Sequence, residues 1–175
     1  AAAGLWMTPS DLCNYIIDMQ LAYKGGKSKV LNDDMVKLHL TPYNNGPTAL
    51  GTFIEDRNGA KYFQHGAGND GFCGQFYGSL DDGYGLAIFM NTDDPKLLRE
   101  VINSVAKVYN WKNFYEAPRV KKSVKLSDEI KRSYEGVYAF ENMYGIILKI
   151  ENEHYLFSTG TFAKMYFNAP DEFFN

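Results

Sequence analysis

Asn58-Gly59 constrains this chain more than any other pair of residues. It sits in Asp56-Arg57-Asn58-Gly59, between two β-like runs at residues 49–55 and 61–64. A two-residue hairpin turn needs positive φ at both central positions, and Asn-Gly supplies that at least cost. A second pair of runs, residues 72–80 and 84–91, flanks Asp81-Asp82-Gly83 in the same way. Four such runs in succession predict a four-stranded antiparallel meander, which must bury at least one face.

Helical segments to cover it are legible on both sides. Thr8 suits an N-cap with Pro9 at the first helical position, and Leu12, Tyr15, Ile16, Met19 and Ala22 recur at three- and four-residue spacing before Gly25-Gly26 ends the run. Asn32 caps a shorter helix to about Leu38, stopped by Thr41-Pro42, after which residues 43–47 form a loop. Pro95 opens a third helix to about Tyr109, with Leu97, Leu98, Val101, Ile102, Val105 and Val108 as one apolar stripe. The fold class expected is α+β, an antiparallel sheet covered by helices.

Between the two hairpins lies Tyr62-Phe63-Gln64-His65-Gly66-Ala67-Gly68-Asn69-Asp70-Gly71-Phe72, which reads as a polar, glycine-rich crook. Glycines at 66, 68 and 71 let backbone approach a bound group closely, and His65 adds an imidazole at the start of the crook. One reading is a hairpin with a stray histidine; the other is a catalytic wall. Asn69 and Asp70 are turn residues in the first reading and substrate-binding residues in the second.

The run His65-Gly66-Ala67-Gly68-Asn69-Asp70-Gly71-Phe72 resembles the third active-site motif of the penicillin-binding protein and class C β-lactamase-like serine hydrolases, a Lys-Thr-Gly or His-x-Gly triplet followed by Gly-Phe. Residues 2–12 resemble that family's lead into a late helix, and residues 83–93 resemble its last sheet strand. The likeness covers roughly residues 1–110 and implies roles by position. His65 takes the lysine's place, Gly66 the threonine's and Ala67 the glycine's. Gly68 falls where the second oxyanion-hole amide lies. The resemblance implies acyl transfer on an amide or ester, a small-molecule or peptide substrate, no cofactor, and a periplasmic or cell-envelope location.

That family attacks with a serine in Ser-x-x-Lys, assisted by Tyr-x-Asn or Ser-x-Asn, both upstream of the third motif. Ser104-Val105-Ala106-Lys107 matches the first pattern but follows His65 and sits in a helix-like run. Tyr43-Asn44-Asn45 and Tyr166-Phe167-Asn168 match the second, at a rate expected by chance. The expectation is therefore a C-terminal fragment, inactive alone, whose partner is the missing N-terminal part of the same polypeptide. The alternative is a non-catalytic binding module in which the crook holds an anionic group or a peptide.

The remaining sequence is organised by composition. Residues 113–126 are polar and basic with no periodic apolar face and read as a linker between a domain at 1–112 and a β-rich module at 127–175. In that module Ser127 caps a short helix, and strands are expected at 134–138, 146–151, 155–158 and 165–168. Tyr134-Glu135-Gly136-Val137-Tyr138 resembles the start of the small β-barrel-like appendage of many family relatives. The module is expected to be incomplete, with no closing strand and an unpaired edge at its end. The 45% hydrophobic content excludes disorder, and a net charge of −3 with scattered basic residues gives no footprint for nucleic acid. No apolar run reaches the ~18 residues of a membrane span. Cys13 and Cys73 have neither metal-binding spacing nor a nearby histidine and are expected as buried free thiols, leaving no metal site. His39, and His154 in a turn, are expected to be structural or solvent-facing.

Overall fold

The computed structural model describes residues 4–118, 120–140 and 143–174. The chain divides into two compact units, Ala1–Ala117 and Pro118–Asn175.

In the first unit, helices α1 (Pro9–Tyr23) and α2 (Asp33–His39) precede strands β1 (Phe53–Arg57), β2 (Ala60–Asn69), β3 (Phe72–Ser79) and β4 (Gly85–Met90), and helix α3 (Lys96–Val108) follows. The strands form one antiparallel sheet in the order β1-β2-β3-β4. Arg57 pairs with Ala60 across Asn58-Gly59, whose φ values are 52° and 85°, as the sequence requires of this turn. The helix starts are equally local in origin. Thr8 Oγ1 accepts from Asp11 N–H at 3.1 Å while the Asp11 carboxylate accepts from Thr8 N–H at 3.2 Å, closing a capping box. The Thr8 hydroxyl, 2.7 Å from Asp11 Oδ2, and then the Thr8 N–H hold the Asp11 carboxyl below its usual pKa. Asn32 caps α2 through Met35 N–H.

The sheet is the middle of three layers. Strand alternation sends Phe63 and Phe76 to one face, where they pack with Leu12, Ile16 and Met19 of α1 and Val36 of α2. Tyr62 turns to the other face, against Leu98, Ile102 and Ala106 of α3 and against Trp111 and Phe114. Two glycines let α1 seat closely. A Cβ at Gly78 would lie 2.3 Å from Phe63 Cε1, and one at Gly85 would lie 2.7 Å from Ile16 Cγ2.

Four expectations change. Residues 65–69 are strand rather than crook: β2 runs to Asn69, and Gly66, Ala67, Gly68 and Asn69 pair with Gln75, Gly74, Cys73 and Phe72. The reversal is confined to Asp70 and Gly71, the latter at φ +79°. Residues without bulk pair readily when the opposite strand is in register, so a glycine run need not break a strand. β1 starts at Phe53 instead of Ala49, because the chain before it doubles back, with Thr48 bridged to Phe53. The buried row of α3 is Leu98, Ile102 and Ala106, while Leu97 and Val108 are exposed. Within the segment expected as linker, Phe114 is buried against Tyr62, Tyr77 and Trp111.

The second unit holds helix α4 (Asp128–Arg132), a four-stranded antiparallel sheet of β5 (Gly136–Phe140), β6 (Met143–Ile150), β7 (Glu153–Ser158) and β8 (Thr161–Lys164), and a two-stranded pair of β9 (Tyr166–Ala169) and β10 (Glu172–Phe174). Ser127 caps α4 as expected. Its core is Ile147, Met165 and Phe167, with Leu126, Tyr134 and Leu156 against them. The segment expected to leave β9 without a closing strand is itself β10, paired to β9 with a register shift between Glu172 and Phe173. Asn175 lies outside the described residues. The class is α+β throughout.

Candidate active-site strand edge

Backbone groups of successive strand residues point alternately to the two sides, and this decides what β2 offers. Leu80 N–H donates to Lys61 O, so Lys61 and the other odd-numbered residues of β2 face β3. Ile54 N–H donates to Pro47 O, away from β2, so its neighbours Phe53 and Glu55 face Gln64 and Tyr62. Even-numbered residues of β2 therefore face β1. Because β1 begins opposite Gln64, Gly66 and Gly68 direct their backbone groups past the start of β1 to an open edge. Both residues are exposed, and a Cβ at Gly68 would meet nothing within 4 Å.

His65 flanks this edge on the α1 face, beside Phe76 across the ladder. Its ring lies 5.4 Å from Phe53, and its Nδ1 is 2.6 Å from Gly66 O. A carbonyl only accepts, so Nδ1 carries the proton and Nε2 of the neutral ring is left as an acceptor. The bond also occupies Gly66 O, leaving the amides of Gly66 and Gly68 as the free donors. Ala67 is different: its backbone faces β3 opposite Gly74, and only its methyl group is presented. Asn69 ends β2 and Asp70 stands in the turn, both exposed.

The structure adds supports that sequence reading missed. On the α3 face, Gln75 Nε2 donates to Gln64 Oε1 at 2.6 Å, and a Cβ at Gly66 would lie 2.9 Å from Gln75 Oε1. The glutamine pair thus backs Gly66 closely. At the hairpin tip, Gly71 N–H donates to Asp93 Oδ1 at 2.7 Å, tying the turn to the segment that leads into α3. A strict two-residue turn at Asp70-Gly71 would have placed Gln75 opposite Gly66 from sequence alone.

The other candidates lie elsewhere. Ser104 is on the exposed side of α3, which packs on the face of the sheet opposite His65. Among the described residues, the hydrogen bonds of serine hydroxyls are to Asp18 and to backbone groups, none to a lysine or histidine. Tyr43 is in an exposed loop, and Tyr166 begins β9 in the second unit. Cys13 and Cys73 are free and half-buried rather than buried. His154 is not in a turn but in β7, 2% exposed, with Nε2 3.1 Å from Glu135 Oε1. His39 is half-buried. Its Nε2 bonds the Tyr15 hydroxyl, and burial holds its pKa below the usual value, partly offset by the Leu50 carbonyl. Burial raises the Tyr15 pKa. Among the described residues, no helix is long and apolar enough to cross a membrane, and no cluster of three or more His, Cys, Asp or Glu is placed to hold a metal.

No family model and no curated protein matches the chain. Solved structures do. SurE with D-Leu is similar over 95% of this chain and 41% of its own, at 15% identity and a TM-score of 0.53. SurE in a second structure gives 16% identity and a TM-score of 0.49 over 95% of this chain and 40% of that one. The octameric penicillin-binding protein homologue from Pyrococcus abyssi gives 15% and 0.45 over 90% and 36%. The first of these likenesses shows a shared fold. The chain spans less than half the length of each of these structures.

Proposed function

We propose that this chain supplies one wall of an acyl-transfer site of the penicillin-binding protein and class C β-lactamase-like kind, acting on an amide or ester carbonyl. The attacking hydroxyl comes from outside these 175 residues. Residues 1–112 form the hydrolase portion, and residues 127–175 an appended β-rich module. The observation that carries the reading is the open backbone edge of Gly66 and Gly68. Gly68 N–H is the oxyanion donor, since its edge is open to an approaching substrate and no side chain crowds it. Gly66 N–H holds a substrate carbonyl beside it, in the manner of an added strand. His65 Nε2 accepts a proton or a hydrogen bond from the substrate, and Asn69 and Asp70 line the approach. In the assembled site, loss of one oxyanion donor lowers the rate by ~10²–10³.

A second reading, a binding module without catalysis, is favoured by the site being an open strand edge rather than an enclosed pocket. One set of assays separates the two. The chain alone is incubated with a chromogenic cephalosporin, a p-nitrophenyl ester and a fluorescent penicillin; neither turnover nor covalent label is expected, and labelling at Ser104 contradicts the proposal. Titration with a short peptide ending in D-Leu, chosen because SurE is solved with D-Leu, is expected to shift the Gly66 and Gly68 amide resonances. Restored hydrolysis on adding a polypeptide that bears Ser-x-x-Lys supports the acyl-transfer wall. Peptide binding with no such restoration supports the binding module.

A further inference from the structure

On the reading of the Gly66–Gly68 edge as one that takes an added strand, we infer that Gln75 sets its specificity. Gln75 favours a ligand whose residue opposite Gly66 ends its side chain in a hydrogen-bond donor, as glutamine does.

Odd-numbered residues of β2 bond to β3, so Gly66 and Gln75 form a pair whose backbone groups turn away from each other. Side chains stand closest in pairs of this kind, and Gly66 has none. Gln75 fills the space, its Oε1 lying 2.9 Å from the place a Cβ of Gly66 would take. Two acceptors fix which end of the carboxamide is which. Nε2 donates to Gln64 Oε1 at 2.6 Å and to Phe76 O at 3.4 Å, which leaves the oxygen over Gly66. Among the described residues no donor is bonded to that oxygen, and it is not sealed from solvent. A half-buried acceptor without a partner gains from any donor brought to it.

A strand added at this edge puts the residue opposite Gly66 on the same, α3 face of the sheet, with its Cβ about 5 Å from that of a side chain at position 66. Only Gly66 lies between, so a side chain of two or three further atoms ends beside Gln75 Oε1. An aliphatic side chain there covers the oxygen without bonding it, and a carboxylate sets acceptor against acceptor. The next ligand position on this face is not read in the same way. Opposite Gly68 stands Cys73, and a Cβ at Gly68 would meet nothing within 4 Å. Selection is therefore confined to one ligand residue.

Acetylated, amidated alanine hexapeptides test this, with glutamine or the similarly shaped methionine placed at each position in turn and the Gly66 and Gly68 amide resonances followed through a titration. At one position glutamine is expected to bind about fivefold tighter than methionine, the worth of one neutral hydrogen bond, and at the others no tighter. Gln75→Met is expected to bind the two series alike. Gln75→Glu keeps an acceptor and adds charge, and is expected to bind lysine at that position more tightly than the unaltered chain does. It serves as the test should the methionine variant fail to fold. Peptides that shift both amides without a glutamine preference overturn the inference and leave the strand-edge reading standing. So does a preference that persists in Gln75→Met, or a Gln75→Glu chain with no gain for lysine. If no peptide shifts either amide, the strand-edge reading fails and takes the inference with it.

Discussion

The two halves of β2 have the same neighbour on one side and opposite fates on the other. Residues 60–64 pair with β1 and β3 and send Tyr62 and Phe63 into two separate cores, both 0% exposed. Residues 65–69 pair with β3 alone and are exposed. The first half anchors the strand; the second, extended from that anchor, presents backbone without having to bury it. An open edge is thus obtained by letting one strand outrun its neighbour, with no change in its own conformation.

The largest test of that contrast is Phe63→Ala in the anchored half, expected to cost about 3–5 kcal/mol in denaturant unfolding. Phe63 meets Tyr15 and Phe76 edge to face, and its removal empties the centre of the α1 core. Gly78→Ala comes next, at about 1–3 kcal/mol, because its Cβ must displace the Phe63 ring. Tyr15→Phe removes the hydrogen-bond partner of half-buried His39 and is expected to cost about 1 kcal/mol in the same measurement.

The same histidine gives a pH dependence with a definite sign. Burial lowers its folded pKa below the unfolded value of 6.5, so the unfolded chain takes up the proton first. The contribution is complete above that value, declines as pH falls through it, and levels off below the folded pKa. Thermal melts between pH 8 and pH 5, values set by the ordinary imidazole range, should show the decline. His39→Gln should flatten it.

The smallest stability effect belongs to the exposed half. Gly68→Ala meets no atom and is expected to change stability by less than about 0.5 kcal/mol, read by the same unfolding curve. Its effect should fall instead on peptide binding at the edge.

How much of this was legible follows the same division. Asn58-Gly59, the capping residues Thr8, Asn32 and Ser127, and the meander are local signals, and each appears where its chemistry requires. Residues 65–69 were not legible as strand, because their pairing is decided by Gln75, Gly74, Cys73 and Phe72 on another strand rather than by their own propensity. The α3 stripe was misplaced at Leu97 and Val108 because a small residue, Ala106, is what allows close approach to the sheet. β8 and β10, at four and three residues, are too short to carry a periodic signal. At the candidate site, the residue types were visible. Which amides stay free was not, since that depends on where β1 begins.

Residue-resolved amide hydrogen exchange on the free chain tests the open edge most directly. Tyr62 and Gln64 should exchange slowly and Gly66 and Gly68 fast. Gly66 and Gly68 amides as protected in the free chain as those of Tyr62 and Gln64 would contradict the account.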